Sequence, residues 1–139
     1  MSQINLIKKI IKSEPMVEIA YLFGSQATGN ITPLSDFDFA VQLNEKAREK
    51  DYFDYQIRLT SKLAKAVKAI NVDVVILNSK KTPLLLKYNI IKDGKIIYCK
   101  NKKLKNYLEA GTMRRFLDWQ YFEEIYHQIF IPKLAAGEV

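Results

Sequence analysis

The sequence predicts a small α/β (α+β) domain in which helices pack on a mixed β-sheet and a long helix closes the chain. Two observations carry this. The apolar residues change period along the chain in the order helix, strand, strand, helix, strand, helix, strand, helix. The 139 residues are enough for one real core and too few for two ordinary ones, and no repeat, linker or low-complexity tract divides them, so residues 1–139 read as a single domain.

Ile4, Ile7, Ile10 and Ile11 recur at helical spacing, and Pro15 ends the run. VEIAYLF (17–23) is rich in β-formers and stops at Gly24, a strand running into a turn. DFDFAVQL (36–43) alternates Phe37, Phe39, Val41 and Leu43 against Asp36, Asp38, Ala40 and Gln42, giving a strand with one wholly apolar face. From Arg48 to Ile70 the positions Tyr52, Leu59, Leu63, Val67 and Ile70 keep a helical period with charges between them. NVDVVIL (71–77) reads as a buried strand. Thr82 and Pro83 form an N-cap and first-turn pair for a helix that Gly94 stops. KIIYC (95–99) makes the last strand, its Cys99 expected to pack as a small core hydrophobe. Residues 102–131 contain no proline and many Leu, Ile and aromatic residues, which predicts a long C-terminal helix ending before Pro132, with Gly111 as a potential break.

Apolar residues are 48% and charged residues 27%, a globular balance without the signature of disorder. No apolar run approaches the roughly 20 residues of a membrane span, nothing in MSQINLIKKIIKSEP reads as an export signal, and the single cysteine cannot form an internal disulfide; a cytoplasmic setting is expected. The net charge of +7 favours an anionic partner. However, Lys8, Lys9, Lys12, Lys62, Lys65 and Lys68 fall between apolar helical positions, where a solvated helix face accounts for them, so direct nucleic-acid binding is not expected.

The acidic residues are more informative. Residues two apart on a strand share a side, so Asp36 and Asp38 present their carboxylates together while Phe37 and Phe39 anchor the opposite face. Adjacent carboxylates repel, and a divalent cation removes that penalty; hard oxygen ligands suit magnesium, which takes one or two carboxylates together with substrate phosphates. Asp73 sits between Val72 and Val74 in a strand expected beside the first pair, where a charge is costly unless it faces a cleft or an ion. At Gly24 and Ser25 a glycine closing a strand lets backbone N–H groups approach an anion, and the serine adds a donor, so the turn can hold a phosphate. Taken singly, each feature also has a plain structural reading: a tight turn, a surface pair, a satisfied buried carboxylate. Together their order and spacing describe a nucleoside triphosphate site.

These residues resemble a known family. GSQATGNITPLSDFD followed by VDVVIL is similar to the nucleotidyltransferase signature, and within it to the minimal nucleotidyltransferase (MNT) domains of MntA-type antitoxins, which pair with HEPN-domain (HepT) toxins. The resemblance implies the nucleotidyltransferase fold, with Gly24 and Ser25 binding the triphosphate of ATP, Asp36 and Asp38 ligating Mg2+ as a pair of ions, and Asp73 as the third catalytic carboxylate. Ser35 is a further phosphate-binding candidate or the start of the strand. Members often carry arginine where this chain has Thr28. The implied reaction is transfer of AMP from ATP to a tyrosine of the HEPN toxin, with pyrophosphate released and the toxin's RNase activity blocked. Two alternatives stay open: a small-molecule nucleotidyltransferase of the aminoglycoside-modifying kind, and a non-catalytic antitoxin that masks its toxin.

For the C-terminal helix, Phe116, Trp119, Tyr121, Phe122, Tyr126 and Phe130 suit either a partner surface or a core helix. His127, the only histidine, reads as a surface or packing residue.

Overall fold

Ile7 and Ile11, one helical turn apart, are fully buried in α1 (Gln3–Lys12), while Lys8, Lys9 and Lys12 face solvent. The structure, a computed structural model, describes residues 3–24, 36–67 and 71–137. Ser25, Thr28, Ser35, Lys68 and Ile70 lie outside the described residues. Four strands follow the predicted order: β1 (Val17–Phe23), β2 (Phe37–Leu43), β3 (Val72–Ile76) and β4 (Lys95–Cys99), arranged β3-β2-β1-β4. β1 runs antiparallel to β2 and β4, and β2 runs parallel to β3. A parallel pair needs a crossover, which α2 (Tyr52–Val67) supplies after a short 3-10 turn at Glu49–Asp51.

One face of the sheet buries Phe37, Phe39, Val41, Val72 and Val74 against Ile7 and Ile11 of α1 and Leu59, Leu63 and Val67 of α2. The other carries a smaller cluster of Ile19, Tyr21 and Ala40 with Ile90 of α3 (Leu84–Asp93), joined by Leu104 and Leu108 of α4 (Lys102–Ile125). Asn101 caps α4, its Oδ1 accepting the Leu104 N–H at 3.0 Å. Among the described residues no helix is long and apolar enough to cross a membrane.

Four expectations need correction. Thr82 is not the cap of α3: its hydroxyl donates to the Ile76 carbonyl at 2.9 Å, closing the loop after β3, and extended Pro83 stands at the N-cap instead. Gly94 does stop α3, in an extended conformation with its N–H on the Ile90 carbonyl; a Cβ there would lie 2.2 Å from that oxygen, so the stop works by close approach. Gly111 does not break α4, and Pro132 does not end the helical run. A π-helical turn at Tyr126–Phe130 leads into α5 (Ile131–Ala135), with Pro132 in its first turn. Proline there loses only an N–H that a helix start leaves unpaired, and the wider turn before it relieves the clash its ring makes with the carbonyl four residues back. Finally, Cys99 is exposed, since it is the last residue of an edge strand that has a neighbour on one side only.

Candidate active site

The alternation of β2 does what its sequence dictates. Phe37 and Phe39 point into the α1–α2 core and stack with ring centroids 6.1 Å apart, which sends Asp38 to the other face with Ala40 and Gln42. Parallel pairing sets Asp38 in register with Asp73, so two carboxylates stand side by side on neighbouring strands. On its other flank Asp38 pairs with Phe23, the last residue of β1, and the chain turns at Gly24 with φ +75°. A Cβ on Gly24 would come within 2.5 Å of Asp38 Oδ2. Glycine is therefore required twice over, by the left-handed backbone and by the carboxylate packed against it.

Asp36 precedes β2 rather than opening it, and is exposed. Asn71 ties it down: its backbone carbonyl accepts the Phe37 N–H at 3.1 Å and its Nδ2 donates to Asp36 Oδ1 at 3.2 Å. Burial pushes the Asp38 carboxyl above the ordinary carboxylate range, and the neighbouring Asp73 and Asp36 push it further the same way. Asp73 and Asp36 thus add to the burial that weighs against ionisation of Asp38, a penalty that a hard cation would relieve. Among the described residues no three acidic, histidine or cysteine side chains form a group able to hold a metal ion by themselves. A magnesium ion beside Asp38 and Asp73 would need water and substrate phosphate for its remaining ligands.

The same face has a second polar end that the sequence reading missed. Four residues beyond Asp38, about 13 Å along the strand at ~3.3 Å per residue, Gln42 borders a cavity of about 310 Å³ roofed by α3 and α4. Ile19, Leu77 and Leu108 contribute apolar wall, and Lys87 and Arg115 bring two cations. The Arg115 Nη2 donates to the buried Thr112 hydroxyl at 3.4 Å. The available signal was Lys87 itself, a lone cation aligned with Leu84 and Ile91 on the inward side of a short helix.

The aromatic C-terminal residues divide. Phe116 is buried and stacks on Tyr88 at 3.7 Å, whereas Trp119, Tyr121, Phe122, Tyr126 and Phe130 are exposed, Phe122 by 67%. A core role holds for Phe116 alone. His127 is on the surface beside Glu123, as expected.

With two carboxylates in register against a glycine turn, the site and the fold define a nucleotidyltransferase. Residues 5–103 match the sequence model of the family described as polymerase beta, nucleotidyltransferase, and the chain belongs to that family. It is 29% identical over 98 residues to the protein adenylyltransferase MntA of Aphanizomenon flos-aquae (strain 2012/KM1/D3), a match covering 65% of this chain. The chain spans 62% of that relative's length. Among solved structures, a toxin–antitoxin complex with AMP-PNP superposes with a TM-score of 0.70 at 23% identity, covering 94% of this chain and 98% of the other. A tri-AMPylated Shewanella oneidensis HEPN toxin in complex with its MNT antitoxin gives a TM-score of 0.63 at 22% identity, covering 96% and 99%. At these identities the likeness establishes a shared fold.

Proposed function

We propose that this chain is a magnesium-dependent antitoxin enzyme that transfers AMP from ATP to a tyrosine of a HEPN-family RNase toxin and so neutralises it, in the cytoplasm. The observation that carries the reading is the register of Asp38 with Asp73 beside Gly24. Its direction toward ATP and a HEPN toxin is supported by the likeness to MntA and to the complexes above.

In this reading Asp36, Asp38 and Asp73 hold the metal, and Gly24 with Ser25 and Ser35 holds the triphosphate. Two magnesium ions, when bound, supply charge neutralisation on the phosphates and acidify the attacking hydroxyl. The chain's own work is positioning. In this reading the backbone N–H groups at Gly24 and Ser25 would hold the phosphates. Asp38 is fixed between β1 and β3 and Asp73 is exposed beside it; in this reading Asp38 helps position the α-phosphate and Asp73 takes the proton of the incoming tyrosine hydroxyl. The tyrosine oxygen forms the new bond to the α-phosphorus, and the bond to the β-phosphate oxygen breaks to release pyrophosphate.

A second reading, masking without catalysis, is favoured by the exposed aromatic surface on α4 and the π-helical turn. Incubation with ATP, magnesium and the cognate HEPN protein separates the two. Transfer predicts a gain of one or more AMP masses on a toxin tyrosine; tight binding with no mass gain, unchanged by Asp38→Asn, supports masking. Modification of an aminoglycoside but not of the protein would point to a small-molecule enzyme.

A further inference from the structure

The cavity between the sheet, α3 and α4 lies on the carboxylate face, yet no catalytic step above uses it. Its composition is specific. Lys87 from α3 and Arg115 from α4 line one space; burial lowers the Lys87 ammonium below its ordinary value and the nearby Arg115 guanidinium lowers it further, while Arg115 itself is exposed. Among the described residues neither forms an ion pair. Glu109, whose partner Tyr21 lines the cavity, is engaged elsewhere, accepting from the Tyr21 hydroxyl at 2.8 Å and pairing with Lys105 at 3.6 Å. Two like charges lining one space beside apolar wall, with no acid among its described lining residues, favour an anionic ligand.

The rest of the lining narrows the anion's class. Tyr21 and Tyr52 offer aromatic surface, Ile19 and Leu108 apolar surface, and the Thr112 hydroxyl and the Gln42 amide polar contacts. A volume of about 310 Å³ is at the lower end of small-molecule sites, which span roughly 300–1,000 Å³. The ligand is thus compact, with an anionic head and a flat body.

We propose that this cavity is a second, metal-independent site for a nucleoside monophosphate, its phosphate held by Lys87 and Arg115. The assignment of AMP in particular rests on the adenylyl-transfer reading, whose product carries that group; Gln42 at the cavity's edge is about 13 Å along β2 from Asp38. An acceptor already carrying AMP can seat that group here. Free AMP competes for the same place.

Calorimetric titration with AMP in EDTA tests this without catalysis. Stoichiometric binding is expected for the wild-type chain and for Asp38→Asn. The double variant Lys87→Gln/Arg115→Gln, which removes two repelling charges and should fold normally by circular dichroism, is expected to bind at least tenfold more weakly, and Lys87→Arg to retain binding. A tyrosine peptide carrying AMP, compared with free AMP, reports which source the site prefers. Absence of binding by the wild type in EDTA, affinity unchanged in the double variant, or binding lost in Asp38→Asn overturns the proposal. None of these outcomes bears on whether AMP is transferred, so this site and the transfer reaction fail separately.

Discussion

On one face of the sheet Phe39, Val41 and Val74 meet Ile7, Ile11, Leu59 and Leu63 in a closed apolar layer; on the other, the same strands align Asp38, Asp73 and Gln42 with Ala40 and Val75. The first face is packed to completion, with Phe39, Ile7, Ile11, Leu59 and Leu63 fully buried. The second is covered in its middle and polar at both ends. The closed face does more than stabilise. Because side chains alternate strictly along a strand, slipping β2 by one residue would turn Phe39 to the polar side and Asp38 into the core, so apolar packing behind the sheet fixes the carboxylates in front of it.

Substitutions on the two faces should therefore fail in different ways. The largest effect on stability is expected from Phe39→Ala, which leaves a cavity in the closed layer and costs about 3–5 kcal/mol by chemical denaturation. Asp38→Asn should do the reverse: a transfer rate lower by about 10³-fold, on the scale of removing a group that handles charge at the reacting centre, with the fold intact. Its carboxyl is held above the ordinary range, so the ionised form weighs against folding at neutral pH, and the asparagine variant should melt at the same temperature or higher. Matching losses of stability in both variants would erase the distinction between the faces.

Gly24→Ala should link the two behaviours. Its φ of +75° and the 2.5 Å approach to Asp38 Oδ2 predict a loss of about 1–2 kcal/mol together with slowed transfer, both read on one preparation. Glu14 offers a milder test on the packed side. Burial pushes its carboxyl up, but hydrogen bonds from Lys62 and Arg58 outweigh this and hold it below the ordinary value. Its contribution is present above the unfolded value near 4.3 and is lost as pH falls through the lowered one. Glu14→Gln should cost about 1–2 kcal/mol at neutral pH, given half-exposed partners, and should flatten acid unfolding below pH ~4.

Much of this difference between the faces was legible in the sequence. The period of two in FDFAVQL and the isolated Asp73 among valines follow from local chemistry, and the structure places Asp38 and Asp73 in register accordingly. Asp36, read as part of the strand, falls just outside it because Asn71 pins the chain there. What escaped notice depends on packing between distant segments. Lys87 and Arg115 stand on different helices, and nothing in either neighbourhood says that they share a cavity. Pro132 misled because proline ends a helix in its interior but is at home in a first turn, and only the π-helical turn before it decides between the two. Cys99 misled because an apolar strand at a sheet edge has only one neighbour.

The central claim is that the open face exists for chemistry and the closed face for folding, and Asp73 is where the two are easiest to separate. It is exposed on an edge strand and its side chain makes no hydrogen bond or ion pair among the described residues, yet it sits in register with Asp38. The decisive measurement is the AMP-transfer rate and the melting temperature of Asp73→Asn on the same sample with the proposed HEPN partner. The account predicts a rate at least about 100-fold lower, or roughly 2.7 kcal/mol in the barrier, with a melting temperature within about 2 °C of wild type. A rate that survives the substitution, or one that falls only in step with the melting temperature, would contradict it.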